Sequence, residues 1–503
     1  MKEQLLVKPS RLLTGGLLKI SLLCLFALCA APDAAAQRAA KLPAPDKIVA
    51  EYFKAVGGKK RLAAVRDSVS EWSVERRGQE AGTARVHLKA PDAARTDILL
   101  AEGGELDIVA NARSAWVREP DGRLRTLTDA ESYAARLHAL LDASRLVDYK
   151  KQNVLARTAA LEAVGGDTAY RVEFSTRTGA RLAYWFSTTS KLLLKVRDET
   201  RRLGWRYMDY RARGAQTLEP HRIEFERDGG ETLSLVLREA RYNAGVADSI
   251  FEPPSESSLD IPALLLEVGR NQDEIDERVS EYTYTVKGVQ REINDRGELK
   301  KETVTVHEVY PAPGGGEVYK LVSTDGVALT PEQQEKEARR VANELEKLER
   351  ENAKRKQKRE RERAERERRQ REHGGGAAQS GADDDLGGIA AFLRACEFVS
   401  PRREHFRDRE AIVFDFRARP NFKPTNDEES IIAKMVGTVW IDPADKQVIR
   451  LEARLDKSYK IGGGLLASIR SGSSFAFEQT RMSDGIWLPR FSQISASAKV
   501  LLF

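Results

Sequence analysis

Cysteine is nearly absent from this sequence. The 503 residues hold three, and Cys24 and Cys29 lie together near the start. Only Cys396 remains beyond them, which excludes an internal disulfide framework for the rest of the chain and leaves a buried core to hold it together. Cys396 ends the helix-like stretch Ala391-Phe392-Leu393-Arg394-Ala395-Cys396 and reads as a small buried hydrophobe rather than a reactive thiol. Long hydrophobic runs are missing as well. The apolar run from Ile20 to Ala31 is too short to span a bilayer. Lys2, Lys8, Arg11 and Lys19 precede it and Ala34-Ala35-Ala36 follows, so residues 1–36 read as a signal peptide cleaved near Ala36. Neither early cysteine has the small-residue flank of a lipoprotein cleavage site. The expectation is export to the periplasm as a soluble protein.

Histidine is sparse and scattered. The six are His87, His138, His221, His307, His373 and His405, and no two have metal-ligand or metalloprotease spacing. His138 reads as lying on the wet side of its helix, and His87 as facing out from its strand. There is no G-x-S-x-G elbow, and Gly57-Gly58-Lys59-Lys60 lacks the first glycine and the Ser/Thr of a phosphate loop. No catalytic residue, metal or cofactor is expected, and the chain does not read as an enzyme.

What is present is alternation. After a helix with Ile48, Val49, Tyr52 and Phe53 on one face and Gly57-Gly58 at its end, the period changes from helical to two. Trp72 and Val74, Val86 and Leu88, and Leu106 and Ile108 alternate with polar neighbours, with turns at Gly78, Pro91-Asp92, Gly103-Gly104 and Asp121-Gly122. Thr128-Asp129-Ala130-Glu131 reads as a capping box opening a helix with Tyr133, Leu137, Leu140 and Leu141 on one side. Strands resume through Tyr170-Val172-Phe174, Leu182-Tyr184-Phe186, Trp205-Tyr207, Ile223-Phe225 and Leu233-Leu235-Leu237. A second cycle begins with a helix over 261–280. Trp185 to Lys195 matches Trp440 to Arg450 as W-x5-K, a spacer, two apolar residues and a base, which predicts an internal repeat. Tyr210 and Pro220 have the same ten-residue spacing as Gln479 and Pro489. The second copy is longer, and the extra length at Lys460 to Leu465 reads as a loop or lid.

The second cycle is interrupted at 330–373. Thr330-Pro331-Glu332-Gln333 combines an N-cap, a proline at the first helical position and a capping-box glutamine. Val341, Leu345 and Leu348 form a short apolar stripe; beyond Arg350 no large apolar residue occurs. Pairs such as Glu362–Arg366, Glu365–Arg369 and Glu367–Arg371 have the favourable i, i+4 order. This helix reads either as a solvated spacer or as a contact, through residues 350–373, for an anionic membrane surface or an envelope protein. Nucleic acid is not expected as a partner of an exported chain. Residues 374–388, rich in glycine, read as a flexible linker. The net charge of +6 is placed by this segment, since residues 354–372 hold eleven basic and five acidic side chains. The rest of the chain is near neutral, and the charge says nothing about what it binds.

A half-wet meander has one apolar face that its few helices either close fully or leave as a groove for an apolar ligand. The order of elements resembles the LolA-like periplasmic lipoprotein carriers and the broader outer-membrane lipoprotein-sorting group. Lys89-Ala90-Pro91 followed by Arg95 resembles the strand–Pro–x3–Arg turn of the carriers, and Trp116 their Trp strand. Trp185, Tyr210, Pro220, Asn243 and Phe251-Glu252-Pro253 look like the closing strands, as do Gly437 to Asp442 and Gly485 to Arg490 in the second half. The resemblance implies an α+β fold of two antiparallel half-barrel sheets, each with helices on its concave face, over residues 45–255 and 262–503. It implies a carrier or binder of lipid or lipoprotein acyl chains acting without covalent chemistry. Its relatives include periplasmic sensors, so an adaptor that binds another envelope protein is the alternative. The cavity candidates are Trp72, Val74, Val86, Leu88, Ile108, Trp116, Tyr133, Leu137, Leu140, Leu141, Tyr170, Val172 and Phe174. The helix opened by Thr128 is the lid candidate, and Arg95 a lid or turn candidate. Ala90 stands where the carriers place an arginine, which puts their gating in doubt here.

Overall fold

The computed structural model describes residues 42–213, 217–279, 281–294, 299–313, 316–372, 388–461, 467–495 and 498–500. The signal-peptide expectation for 1–36 lies outside these residues, as does the linker expectation for 374–388 except at Gly388, which opens a helix. Helix α1 (Pro45–Ala55) has proline in its first turn and buries Ile48, Val49 and Phe53. Gly57 and Gly58, at φ of 112° and 101°, then reverse the chain in a conformation that disfavours any side chain. The short α2 (Lys59–Ala63) leads into the sheet.

Strands β1 (Asp67–Arg76), β2 (Gln79–Lys89), β3 (Ala93–Leu100), β4 (Glu105–Ala110), β5 (Ala115–Arg118) and β6 (Leu124–Thr126) form one antiparallel meander. After α3 (Asp129–Ala143), a second meander runs through β7 (Leu155–Val164), β8 (Asp167–Ser175), β9 (Arg181–Ser187), β10 (Leu193–Asp198), β11 (Leu203–Arg213), β12 (Thr217–Arg227) and β13 (Leu233–Tyr242). Pairing of β1 with β13 joins the two into a single thirteen-stranded sheet whose edges are β6 and β7. Helix α3 links those opposite edges, so the chain must cross a face of the sheet, and it packs on β2–β5 and β9 on the way. Ile48, Val49 and Phe53 join Leu137, Leu141, Val172, Phe174, Tyr184 and Phe186 in the main core between helices and sheet.

Beyond α4 (Ile261–Val279), β14 (Tyr284–Ile293), β15 (Leu299–Pro311), β16 (Glu317–Thr324) and β17 (Val327–Ala328) form a four-stranded sheet. It carries α5 (Pro331–Glu372). The capping box forms as the sequence indicates: Thr330 N–H donates to Gln333 Oε1 at 2.9 Å, and Gln333 N–H to Thr330 Oγ1 at 3.3 Å. Val341 is buried, and Asn352 Nδ2 donates to the Pro313 carbonyl at 2.8 Å, so the helix lies on its sheet as far as Asn352. Ordered acid-to-base pairs do form on this helix, with Arg339 2.6 Å from Glu335. The pairs expected at 362–371 involve side chains outside those described.

After α6 (Gly388–Ala395), β18 (Cys396–Phe406), β19 (Arg409–Ala418), helix α7 (Asp427–Ile432), β20 (Met435–Asp442), β21 (Gln447–Leu455), β22 (Tyr459–Ile461), β23 (Ala467–Ile469), β24 (Ser474–Arg481), β25 (Trp487–Ser495) and β26 (Ala498–Val500) complete the chain. Six of these strands make one sheet; β22, β23 and β26 make a small separate one. The described second half is thus three sheets and not one. The two-residue β17 offers almost no ladder to extend, and α5 and α6 intervene before β18. Cys396 opens β18 rather than lying in the helix; it is fully buried, and burial pushes its thiol up to about 12. Of the expected loop at 460–465, Lys460 and Ile461 end β22, and 462–466 lie outside the described residues.

The two W-x5-K segments form the same hairpin. Ser187 Oγ accepts from the amides of Thr189 and Ser190, and Asp442 Oδ1 accepts from those of Ala444 and Asp445. Lys191 and Lys446, each six residues after its tryptophan, are left-handed at φ of 64° and 52°. Trp185 pairs across the ladder with Lys195, and Trp440 with Arg450. Tyr210 pairs with Pro220, and Gln479 with Pro489. The fold is mixed α+β with large antiparallel sheets and associated helices.

Candidate functional site

Beneath α3 lies a cavity of about 870 Å³, bounded by α1, α2 and strands from both meanders. Its origin is visible in side-chain size. Toward β8–β10 the helices present Phe53, Leu137 and Leu141 and fill the space. Toward β3–β5, α3 presents Ala135 and Ala139, which are too small to fill it. Trp72 from β1, Val86 and Leu88 from β2, Ile98 from β3 and Ile108 from β4 line one wall. Trp205 and Tyr207 from β11, Ile223 and Phe225 from β12, and Leu235 and Leu237 from β13 line another. The volume lies within the range of about 300–1,000 Å³ usual for small-molecule sites.

Of the sequence-derived candidates, Trp72, Val86, Leu88, Ile108 and Leu141 line this cavity. Val74 is fully buried beside it, packed with Trp72, Ala84, Ile98 and Leu235. Tyr133, Leu137 and Leu140 line a different and smaller cleft, of about 280 Å³, shared with Glu452 and Arg454 of the second half. Val172 and Phe174 sit in the main core with Tyr170 against them, where Phe174 meets the rings of Tyr149 and Tyr184 edge-on. Trp116 is on the opposite face of the sheet, buried with Val109, Val246 and Phe251. Arg95 is also on that face. Its Nε lies 2.6 Å from Asp97 Oδ1, its Nη2 3.3 Å from Asp107 Oδ2, and its Nη1 donates to the Ile250 carbonyl at 2.9 Å. It fastens the 3₁₀ turn Asp248–Phe251 to the sheet and has no place beside α3.

His138 is the clearest departure. The sequence puts it on the wet face of α3; the structure turns it into the cavity, its ring 4.2 Å from that of Trp205. Nε2 lies 3.2 Å from Asp142 Oδ2, and Nδ1 3.3 Å from Arg201 Nη2. Burial and the Arg201 charge pull the imidazole down to about 3. Burial pushes the Asp142 carboxyl up to about 7, with Arg145 and Arg201 opposing. Arg201 is itself paired with the buried Asp198, Nε to Oδ2 at 2.5 Å. The chamber therefore carries a polar patch that no sequence motif announces, and Arg61, Glu219 and Asn243 also line it. His87 is partly buried and lies 3.9 Å from Asp97.

The helix over the cavity starts in an unexpected way. Thr128 makes no side-chain cap. Glu131 pairs instead with Arg125, and the amide of Asp129 donates to Glu452 Oε1 of β21 at 3.1 Å. Arg450 Nη2 lies 2.6 Å from Asp129 Oδ1 and Nη1 2.5 Å from Glu478 Oε2. Nearby, Thr126 donates through its amide and hydroxyl to the two oxygens of Glu404, at 2.8 and 2.6 Å. Ser114 Oγ donates to Asp415 Oδ2 at 2.6 Å, and Arg402 bridges Thr126, Glu404 and Asp415. Buried ionic contacts thus tie β6 and the first residue of α3 to the six-stranded sheet.

Among the described residues no group of three or more His, Cys, Asp or Glu is placed to hold a metal ion. No described helix is long and apolar enough to cross a membrane.

No family model matches the chain, and no curated protein matches it. Solved structures do resemble it. A DUF1329 family protein from Desulfovibrio piger is 18% identical, over 42% of this chain and 99% of that one, at a TM-score of 0.28. A LolA superfamily protein from Nitrosomonas europaea is 14% identical, over 43% and 100%, at 0.29. The MucA/MucB complex of Pseudomonas aeruginosa gives 8% identity over 91% and 93%, at 0.17. Identities this low speak to fold alone, and TM-scores this small carry no argument about what the chain binds.

Proposed function

We propose that this chain is an exported binding protein that holds the acyl chain of a lipid or lipoprotein in the periplasm, reversibly and without covalent chemistry. The observation that carries the reading is the cavity under α3, about 870 Å³ and walled by aliphatic and aromatic side chains. Each methylene moved into it from water contributes about 0.8 kcal/mol. In this reading residues 45–255 and 262–503 are two copies of one half-barrel unit, an idea supported by the matching hairpins at Trp185 and Trp440. The test is uptake of an environment-sensitive apolar dye such as 1-N-phenylnaphthylamine. Saturable enhancement, reversed by a long-chain lipid, supports the reading; no enhancement at any protein concentration rejects it.

A second reading, an adaptor that docks another envelope protein or the membrane surface, is favoured by a different observation. The four-stranded sheet exposes Val289, Leu299, Tyr319 and Val327, and α5 continues past its last packed residue as a charged rod. Removing residues 350–373 separates the two: a carrier keeps its dye binding, whereas an adaptor loses its partner.

A further inference from the structure

One hydroxyl on the chamber wall is unsatisfied by the protein. Tyr184 of β9 lines the cavity, is 1% exposed, and its hydroxyl has no hydrogen-bond partner. Its ring is held edge-on to Phe174 and stacked on Phe186, so packing fixes where the hydroxyl sits. Burial, with Asp142 and the phenols of Tyr207 and Tyr52 nearby, keeps it protonated, well above the usual phenol range. A buried O–H that finds no acceptor forfeits its hydration. An occupant that offers an acceptor therefore gains more here than a plain hydrocarbon does.

The charges around the chamber close on one another. Arg201 is paired with Asp198 and touches His138, which burial keeps neutral. Arg145 donates to Ser68 Oγ at 3.0 Å and lies over the ring of Tyr242, whose hydroxyl donates to Glu219. Arg61 donates to the Gly57 carbonyl at 3.1 Å. Among the described residues, the guanidiniums of Arg61, Arg145 and Arg201 thus stand with the carboxylates of Asp142, Asp198 and Glu219. Once Asp142 is ionised, above about 7, the set sums to zero. An ionised head would lose its hydration on entry and find no counter-charge left for it. We propose that the occupant of the cavity is a neutral fatty acyl ester whose carbonyl oxygen accepts from the Tyr184 hydroxyl. The assignment rests on the apolar-chain reading above and adds the head group to it. An ester carbonyl accepts a hydrogen bond and carries no charge, so it meets both conditions. A carboxylate fails the second, and an alkane fails the first.

The test loads the full chain with 1-N-phenylnaphthylamine at a mildly alkaline pH and displaces it with carbonyl-labelled methyl palmitate, with labelled palmitic acid and with hexadecane. The infrared carbonyl band of the bound ester should lie at lower wavenumber than in hexane, the signature of an accepted hydrogen bond. In Tyr184→Phe, which removes one oxygen and keeps the ring in its packing, the band should return to its hexane position. The displacing concentration of the ester should then rise about two- to tenfold, the worth of one hydrogen bond. That of hexadecane should not change, which controls for the fold and for the solubility of each ligand. From an equal mixture of ester and acid, the carboxylate band should report about a tenth or less of the bound ligand. An unshifted ester band in the unaltered protein, a band unmoved by Tyr184→Phe, or carboxylate bound as well as ester overturns the head-group assignment while leaving the apolar cavity standing. Failure of the dye to bind at all removes the apolar-chain reading and the head group with it.

Discussion

Arg450 and Asp129 lie 321 positions apart and meet at 2.6 Å, guanidinium Nη2 to carboxylate Oδ1. Asp129 is the first residue of the helix that roofs the cavity, and Arg450, fully buried, is held from below by Glu452 and Glu478. The roof is therefore pinned at its start by the second half of the chain. A lid that opens at this end must break an ionic contact whose guanidinium is fully buried and whose carboxylate is half exposed.

That junction gives the first prediction. Arg450→Met leaves Glu452 buried without its cation, while Glu478 keeps Arg407 and Arg490, and should destabilise the protein by about 3–5 kcal/mol in urea unfolding. A cycle with Asp129→Asn should show a coupling energy of about 0.5–3 kcal/mol, because the two side chains touch. Additive effects would mean that the contact does not hold the roof.

Filling the chamber should abolish binding without unfolding the protein. Val86 lines the wall and is partly exposed to the void. Val86→Trp should weaken dye uptake by about tenfold or more, equivalent to about 1.4 kcal/mol, with an unchanged far-ultraviolet circular dichroism spectrum. Unaltered uptake would place the binding site elsewhere.

Two opposed titrations are built into the roof. Asp142 is raised from 3.8 to about 7, so the folded state keeps a proton that the unfolded chain releases. Its contribution to stability falls as pH rises from about 4 to about 7. His138 is lowered from 6.5 to about 3, so the folded state lacks a proton that the unfolded chain takes up. Its contribution rises with pH between about 3 and 6.5. The two offset each other in the unaltered protein. Asp142→Asn should uncover a stability that climbs with pH across that window, and His138→Gln one that declines. Denaturant midpoints measured at steps of pH read both slopes, and like slopes in the two variants would contradict the assignment.

The matching hairpins should respond alike. Ser187→Ala and Asp442→Ala each remove an oxygen that accepts two backbone amides. Each should cost about 1 kcal/mol for the turn bonds lost, and Asp442→Ala more, because its Oδ2 also holds Arg409 at 2.6 Å. A loss in one and not the other would say that the two turns are alike in geometry only.

The charged rod separates from the fold. Removing residues 353–372, beyond the last anchored residue Asn352, should leave the melting temperature unchanged and lower the helical circular dichroism signal. If the rod meets a membrane, sedimentation with vesicles of anionic phospholipid should be lost in the deletion. In the intact protein it should weaken with salt, since each basic side chain near such a surface gains only about 1 kcal/mol.

Alternation made much of the first sheet legible. Trp72, Val86 and Leu88 share a cavity wall because apolar and polar side chains alternate along their strands; Ile108 joins them although its neighbours Asp107 and Val109 are buried on the other face. Trp116 misleads for the opposite reason: β5 is four residues long and buries Ala115, Trp116 and Val117 alike, so parity has nothing to read. His138 and Asp142 were hidden by the rule that polar helix residues face water, which fails where the interior is a chamber. The cap of α3 was read locally at Thr128, whereas its partner Glu452 lies more than three hundred residues away. The division of the second half into three sheets follows from β17 and α5, whose effect on strand pairing is not a periodic signal.

Native mass spectrometry of the protein isolated gently from its native source tests the central claim most directly. The account predicts a population heavier than the polypeptide by the mass of one long-chain lipid, lost on collisional activation and exchanged for added methyl palmitate. A bare polypeptide mass that takes up neither lipid nor apolar dye would contradict it.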